Sequence, residues 1–401
     1  MSDTSILNST GPQTSLIDAT FDVRQRLQEL RAWQVEWQRE EALLRQRLDQ
    51  LDETSRLHKQ QAMQIASLRR RASMKLVKCP IDISPDVIKQ AGYDKLRANL
   101  VRQFAGLSRE ERLLWLNNFY FILTPDLRQL NDKMTQVRAY RSLGQQRNFL
   151  LGGESGMGKT TYLNWYMSNY LPTIEVERNH VPIIKIDAPV SNRTPKPLFQ
   201  RMILECGRTY LRYDNEEELL MQLVLCLQKC GVEMIVVDEI QHIVLPELRR
   251  RLLEISNLVQ GIPVVCASCH PLRWIEDDAE VAGRWNDCFW LRQYTGERLS
   301  ALLSFVELLL PFTEASYLYL HEIKTSGTLR GGEAADGPAR LIEKLTGGIL
   351  RDIMILVTDA SRRAIEQNKP RLSPSLLEAT WQDIQTNRVT DFLQVVHPKE
   401  K

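Results

Sequence analysis

The chain has 401 residues, of which 43% are hydrophobic and 25% charged, a balance that excludes disorder along its whole length. Its 52 basic and 50 acidic residues leave a formal charge of +2, so bulk charge neither supports nor excludes a nucleic-acid partner. No apolar run reaches the roughly eighteen residues that a membrane span needs, and residues 1–10 lack the basic and apolar parts of a secretory signal, so we expect a cytoplasmic chain without membrane contact.

The first predicted element is a long helix. Residues 13–78 contain neither Gly nor Pro, and a heptad seam with two polar interruptions runs through the first part of this stretch. The seam consists of Val23, Leu27, Leu30, Gln34, Trp37, Glu41, Leu44, Leu48 and Leu51. We predict an N-terminal helical or coiled-coil arm over residues 1–75, which either packs on its own domain or serves self-association and partner contact.

Prolines separate this arm from the rest of the chain. Pro80 and Pro85 end the helical pattern, because proline cannot continue a helix and constrains the residue before it. Further on, Ser108 and Glu111 have the spacing of a capping box, which predicts a helix that begins after Ser108. The next domain is therefore expected to begin near residue 76 with leading helices.

Five short apolar runs follow, and a helical stretch succeeds each of them. They cover residues 148–151, 181–186, 234–237, 262–266 and 289–291. Runs of this length without alternation are typical of strands buried on both faces of a parallel sheet. We predict an α/β domain over residues 76–294, then a helical lid over 295–385, broken by a polar loop at 325–338, and a tail over 386–401.

A glycine-rich loop follows the first predicted strand and opens a helix with the pattern G-x-x-x-x-G-K-T. Its glycines let successive backbone N–H groups face phosphates, while Lys159 reaches the β and γ phosphates and the Thr160 hydroxyl ligates Mg²⁺. The expected ATP-binding residues are Gly153, Glu154, Ser155, Gly156, Met157, Gly158, Lys159, Thr160 and Thr161. The competing interpretation is a chance match in a glycine-rich turn.

Two carboxylates, Asp238 and Glu239, end the third predicted strand abruptly. Burying an acid pair at a central strand end is costly unless a cation or catalysis requires it. We expect Asp238 to support the Mg²⁺ shell and Glu239 to orient and polarise the attacking water as a general base. The alternative is an ordinary strand end that faces solvent.

The fourth predicted strand carries part of a cysteine motif. Cys266, Cys269 and His270 match the C-x-x-C-H pattern of c-type haem attachment. The pattern begins where a nucleotide-binding fold needs a buried strand, and the total of seven cysteines is odd. We therefore interpret the cysteines as small apolar residues or unpaired thiols in a reducing compartment.

Taken together, these motifs resemble the AAA+ regulators of DNA transposition called TnsC or TniB, of Tn-type or CRISPR-associated transposons. The resemblance covers roughly residues 90 to 385. Its carriers are the glycine-rich loop, the run at 229–234 before the acid pair, the strand at 261–265, Arg284 and the segment 346–351. It implies an AAA+ P-loop ATPase of the bacterial cytoplasm that uses ATP and Mg²⁺.

The resemblance also implies partners and a mode of assembly. Members form a ring or helical filament on double-stranded DNA, with ATP between subunits, and contact a TnsB-like transposase and a TniQ- or TnsD-like target selector. Such a protein links the choice of a target site to transposase recruitment. Two other functions remain open. One is a loader or remodeller of a replication or other DNA-bound complex, which shares every catalytic residue, and the other is a scaffold that ATP locks without hydrolysis.

Three further site residues follow from matching positions. Arg351 matches the lid arginine that senses nucleotide, and Arg284 matches the arginine that reaches the neighbouring subunit's γ-phosphate. Each has the alternative of a surface arginine paired with a carboxylate. Where the family often has Thr at the end of the fourth strand, this chain has Ser268, Cys269 and His270. Ser268 is a candidate for orienting the water, and Cys269 and His270 are the alternatives.

The expected DNA contacts come from the loop after the second strand. Residues 191–196 resemble the segment with which such proteins track a DNA backbone, and Lys196 is the best-matched cation, followed by Arg193. Asn215 falls near a second backbone-contacting position. The alternative for this loop is a solvated turn.

Overall fold

The computed structural model describes residues 14–15, 22–49, 81–82, 92–117, 122–141, 147–174, 179–190, 194–210, 215–271, 279–285, 287–323 and 335–396. The chain divides into two compact units. Of the described residues, those within 29–49 and 125–292 belong to the sheet unit, and those within 14–28, 81–124 and 293–396 belong to the helical unit. Across these described ranges, no helix combines the length and the apolar character that a bilayer span requires.

The first half of the chain contains β1 (Thr14–Ser15), α1 (Val23–Asp49), β2 (Ile81–Asp82), α2 (Tyr93–Ala105), α3 (Arg109–Leu116), α4 (Pro125–Tyr140), β3 (Phe149–Gly153), α5 (Lys159–Ser168), β4 (Thr173–Ile174), β5 (Asn179–His180), β6 (Ile183–Asp187) and α6 (Lys196–Glu205). The second half contains α7 (Glu216–Lys229), β7 (Met234–Asp238), a short 3₁₀ helix (Ile240–His242), α8 (Pro246–Leu258), β8 (Val264–Ser268), α9 (Ala279–Arg284), β9 (Asp287–Leu291), α10 (Gly296–Leu309), β10 (Glu322–Ile323), β11 (Ala335–Asp336), α11 (Pro338–Thr346), α12 (Leu350–Glu366) and α13 (Pro374–Val396).

The sheet unit is built on a five-stranded parallel sheet in the order β6-β7-β8-β3-β9. All five predicted strands are confirmed, each within two residues at its start and end. Every residue of β3, β7 and β8 is buried, as expected for strands with helices on both faces. The three strands are neighbours and parallel, so their carboxyl ends meet at one edge of the sheet.

Apolar helix faces cover this sheet and form the core of the unit. Leu223 and Leu227 of α7 pack in one cluster with Ile235 and Val237 of β7. Cys266 belongs to the same cluster and is fully buried on β8. Burial raises the pKa of its thiol, so Cys266 remains a protonated apolar residue, and the strand interpretation of the C-x-x-C-H match is confirmed.

The helical unit contains α2, α3 and α10 to α13. The predicted capping box is confirmed: the Ser108 hydroxyl accepts from the Glu111 N–H, and the Glu111 carboxylate accepts from the Ser108 N–H. Trp115 of α3 donates its indole N–H to the carbonyl of Leu309 at 2.7 Å. A two-residue antiparallel pair, β10 with β11, was not predicted, and residues 324–334 between the two strands lie outside the described residues.

The predicted arm is described over Val23–Asp49, where it is one continuous helix of 27 residues. Its first turn packs in the helical unit: Val23 is fully buried, and its N–H donates to Gln103 Oε1 at 2.8 Å. Val35 and Leu43, further along the helix, are about half exposed. The later part of the arm, residues 50–75, lies outside the described residues, and so the bounds and the role of the arm stay a prediction. At the other end of the chain α13 continues helically to Val396, into the segment predicted as a tail.

Candidate functional site

The glycine-rich loop joins β3 to α5, which confirms the predicted strand, loop and helix. Gly156 and Gly158 have φ angles of 84° and 87°, a left-handed conformation that side chains with a Cβ rarely adopt. Gly158 is the N-cap of α5. These glycines curl the backbone so that its N–H groups and the amino end of α5 form an anion-binding concavity.

Lys159 is the first residue of α5 and is buried, with 6% of its surface exposed. Its ammonium donates to the carbonyls of Gly153 at 2.6 Å and Glu154 at 2.9 Å, and lies 3.6 Å from Cys269 Sγ. A buried ammonium needs such acceptors, because its desolvation is otherwise uncompensated. The loop thus holds this cation against its own backbone, at the concavity that it forms.

Asp238 ends β7 with 1% of its surface exposed. The Thr160 hydroxyl donates to Asp238 Oδ2 at 2.7 Å, so the two predicted metal ligands are in contact across the sheet edge. The Glu239 N–H donates to Oδ1 at 3.0 Å. Asp238 is thus a buried carboxylate with hydrogen-bond partners, in line with the predicted acid pair, and its support of a cation stays a prediction.

Lys185 is a neighbour of this carboxylate that the sequence interpretation missed. It lies on β6, its side chain is 12% exposed, and its ammonium lies 3.2 Å from Asp238 Oδ2 and 3.0 Å from Asp187 Oδ1. The available signal was a lysine in the middle of an apolar strand run, where an unpaired charge is expensive. Lys185 supplies a positive charge to the buried Asp238.

Glu239 has φ and ψ angles of 55° and 41°, which place a non-glycine residue in the left-handed region. Such backbone costs about 1–3 kcal/mol and persists where the surroundings enforce it, often at functional sites. Gln241 Nε2 donates to Glu239 Oε2, and the Ser268 hydroxyl donates to Gln241 Oε1 at 2.9 Å. Ser268 is therefore connected to Glu239 through Gln241, which the sequence interpretation did not single out.

The two candidate arginines lie in different units, and each is described in its own. Arg284 is the last residue of α9 in the sheet unit and is exposed. Arg351 lies in the first turn of α12 in the helical unit, with a side chain that is 55% exposed and 3.4 Å from Asp352 Oδ1. Their nucleotide contacts stay predictions.

The predicted DNA contacts are only partly described. Arg193 lies outside the described residues, and Lys196 is the half-buried first residue of α6. The Asn215 side chain accepts from the Glu218 N–H at 2.9 Å, and Glu218 accepts from the Asn215 N–H, so Asn215 caps α7. This cap gives Asn215 a local structural role in addition to the predicted contact.

The described residues fit ATP with Mg²⁺. The Thr160 hydroxyl and the Asp238 carboxylate are oxygen ligands of the kind that Mg²⁺ uses together with substrate phosphates. The left-handed glycines, the amino end of α5 and the Lys159 ammonium supply donors and positive charge for a polyphosphate. Glu239 adds a carboxylate directly after Asp238, the predicted metal ligand, and its role as a base stays a prediction.

Comparison with known proteins finds one matching family model and several distantly similar solved structures. The model of the family described as "Bacterial TniB protein" matches residues 112–293. Similar solved structures include Cdc6p from Pyrobaculum aerophilum, 13% identical over 64% of this chain and 66% of that chain, with a TM-score of 0.45. ORC1 from Aeropyrum pernix, solved in complex with DNA, is 17% identical over 75% of this chain and 72% of that chain, also at 0.45.

A third solved structure is RuvB of Thermotoga maritima, described as a Holliday junction branch migration motor. It is 16% identical over 64% of this chain and 68% of that chain, with a TM-score of 0.38. The chain thus spans about two thirds of the length of the first of these structures. No curated protein matches significantly.

Proposed function

We propose that the protein is an ATP-hydrolysing regulator of DNA transposition that assembles on double-stranded DNA when ATP is bound, a proposal that the match of residues 112–293 to the TniB family model supports. The observation that carries the proposal is the contact between Thr160 and Asp238, with Glu239 next in the chain. It joins the phosphate loop, the metal ligands and a base at one sheet edge. A P-loop that only anchors a nucleotide has no need of that base.

Each residue has a defined task in this reaction. The loop N–H groups and Lys159 bind the phosphates, and Thr160 and Asp238 hold Mg²⁺. Bound Mg²⁺ neutralises charge on the β and γ phosphates. Glu239 orients the attacking water and takes its proton, a contribution of about 10²- to 10⁴-fold in rate for a well-placed base.

The site is completed by a neighbouring subunit in this proposal. Arg284 is exposed at the end of α9, as an arginine that serves an adjacent subunit has to be. Arg351 responds to the nucleotide from within its own subunit. ATP then lies between subunits of a ring or helical filament, so that its occupancy reports assembly.

The DNA contacts and the protein partners follow from the same proposal. Lys196 and Arg193 bind the phosphate backbone, with Asn215 near a second contact. The assembled protein recruits a TnsB-like transposase to a site that a TniQ- or TnsD-like protein has selected. Hydrolysis releases or remodels the assembly.

The decisive experiment is assembly on duplex DNA with and without an ATP analogue, observed by electron microscopy. We expect ordered oligomers with the analogue for the wild type and for the control Lys229→Ala, whose side chain is exposed on α7. Lys159→Ala should form none, because the phosphates lose their buried cation. Assembly of Lys159→Ala equal to that of the wild type, or wild-type assembly that ignores the nucleotide, would overturn the proposal.

A further inference from the structure

A hydrogen-bonded chain of three side chains connects the end of β8 with Glu239. Ser268 is 1% exposed at the last position of β8, and its hydroxyl lies 2.9 Å from Gln241 Oε1. Gln241 lies in the short 3₁₀ helix that follows β7, and its Nε2 donates to Glu239 Oε2. The base and the strand end therefore meet through one glutamine.

The Glu239 carboxylate orients the amide of Gln241. A carboxylate oxygen can only accept, so the Gln241 NH₂ faces it, and the Gln241 oxygen faces the Ser268 hydroxyl. The same hydroxyl oxygen accepts from the His270 N–H at 3.0 Å. With its oxygen turned to Ser268, the Gln241 amide presents NH₂ to Glu239. This orientation suits the acceptor-only oxygen of an ionised carboxylate.

We propose that Gln241 is the positioning residue of Glu239 and that Ser268 acts on the base through it. A neutral amide donor fixes Oε2 of Glu239 and leaves the carboxylate charge in place, whereas a cation at the same position would neutralise the base. Oε1 is then the oxygen available to a water molecule. The inference rests on the proposed function, because it concerns the base of the proposed hydrolysis.

The anchor of this arrangement is a fully buried strand in the middle of the sheet. β8 pairs with β3 on one side and with β7 on the other, and all of its residues are buried. The next residue, Cys269, lies against the Lys159 ammonium. One strand end thus contacts the phosphate-binding cation directly and the base through Gln241, so that both are held relative to each other.

Left-handed backbone at Glu239 makes this restraint necessary. Its φ of 55° places Glu239 outside the extended backbone of β7, which ends at Asp238, so the regular alternation of strand side chains does not set the direction of its carboxylate. A misplacement of about 1 Å at a reacting group costs about 10²-fold in rate. A donor that fixes one carboxylate oxygen removes that freedom.

The test compares Gln241→Leu, which keeps the approximate size and removes both polar ends, with Gln228→Leu, an exposed glutamine on α7. We expect kcat for ATP to fall about tenfold to hundredfold in Gln241→Leu, with KM and the binding of a fluorescent ATP analogue within twofold of the wild type. The control should keep wild-type turnover. Wild-type kcat in Gln241→Leu would overturn the inference.

A double-mutant cycle separates positioning from a general structural effect. Ser268→Ala should lower kcat less than Gln241→Leu does, and the double variant should be no slower than Gln241→Leu alone, since Ser268 acts through that residue. Additive losses would mean that Ser268 reaches the site independently, which contradicts the inference.

A third measurement needs neither nucleotide nor turnover. Hydrogen exchange of the nucleotide-free protein should speed up in residues 264–271 of Gln241→Leu, because the Ser268 hydroxyl that accepts from His270 loses its own acceptor. Unchanged exchange would count against the chain of contacts. If the wild type hydrolysed no ATP but hydrogen exchange still became faster in Gln241→Leu, the proposed function would fail. The hydrogen bonds from Ser268 through Gln241 to Glu239 would nevertheless be supported.

Discussion

Two glutamates, one in each unit, show how differently the fold treats a carboxylate. Glu307 on α10 is 1% exposed and accepts from three backbone N–H groups, those of Ser316, Tyr317 and Leu318, at 2.6 to 2.8 Å. Glu239 accepts from one side-chain amide among the described contacts, on a left-handed backbone. A carboxylate saturated by backbone donors fastens a loop, whereas one held by a single amide keeps an oxygen for chemistry.

The polar neighbours of the two glutamates repeat this contrast. Arg97 of α2 donates to the carbonyls of Phe312 and Glu314 at 3.3 and 3.0 Å, so it also fastens the segment after α10. Burial lowers the pKa of Arg97, and nearby Glu307 opposes that shift. At the sheet edge, by contrast, the polar partners of Asp238 and Glu239 are mostly side chains.

The largest expected effect is on ATP turnover, when Glu239 is replaced. Glu239→Gln should lower ATP turnover by about 10³-fold, since the base is lost, while it retains nucleotide binding because the phosphate loop is untouched. Phosphate release measures the loss, and DNA-bound assemblies should live longer. Glu247→Gln, an exposed glutamate in the first turn of α8, is the control. Unaltered phosphate release in Glu239→Gln would remove Glu239 as the base.

The same substitution at Glu307 should have the opposite profile. Glu307→Gln places an NH₂ group among backbone donors and should lower the free energy of unfolding of the helical unit by about 3 kcal/mol. Turnover per folded molecule should not change. Urea unfolding followed by circular dichroism checks the first point, with the exposed Glu314→Gln as control. A stable Glu307→Gln with slow turnover would reverse the roles that we assign to the two glutamates.

These two glutamates also mark what the sequence could predict. The strands, the glycine-rich loop between β3 and α5, and the Ser108 capping box follow from local signals such as apolar runs, glycine spacing and N-cap chemistry, and the structure confirms them. The acid pair could be singled out because two carboxylates that directly follow an apolar strand are visible in a short stretch of sequence.

What the sequence could not provide are contacts set by tertiary packing. Lys185 and Asp238 are 53 residues apart along the chain, and they meet because β6 pairs with β7. Gln241 meets Ser268 only once β8 lies beside β7. Glu307 meets the N–H groups of Ser316, Tyr317 and Leu318 only once the segment after α10 folds back on that helix. Each of these partners depends on strand order or on loop closure, which local periodicity does not encode.

The loop predicted to contact DNA belongs to the sheet unit. Removing its two positive charges should affect DNA binding, a property separate from turnover and stability. Changing Arg193 and Lys196 together to Gln should weaken DNA binding to a similar extent for different sequences, because phosphate contacts carry no base information. The slope of log K against log salt should flatten by about 1.8, at about 0.9 for each lost phosphate contact. Fluorescence anisotropy at several salt concentrations measures it.

The control for this prediction removes two basic residues elsewhere. Lys229→Gln with Arg340→Gln takes away the same charge from the end of α7 and from α11. We expect the wild-type slope for this pair. Equal slopes in the wild type and in both double variants would show that residues 193 and 196 do not contact DNA. The alternative interpretation, in which this loop is a solvated turn, would then hold.

The smallest expected effect concerns two capping boxes, one in each unit. Asn215→Ala and Ser108→Ala should each cost about 1 kcal/mol of stability, because each removes the acceptor for an N–H in the first helical turn. Asn215→Asp should keep its stability, since Asp is as good an N-cap as Asn. Thermal unfolding of the three variants checks these values.

Asn215→Asp then separates the cap from the predicted DNA contact at the same residue. The new negative charge should weaken DNA binding if a phosphate lies near this helix start, while Ser108→Ala, in the helical unit, should bind DNA as the wild type does. A stable Asn215→Asp with unchanged DNA affinity would assign Asn215 to the capping of α7 alone. Weaker binding at unchanged stability would show that one side chain can cap a helix and also lie beside the DNA backbone.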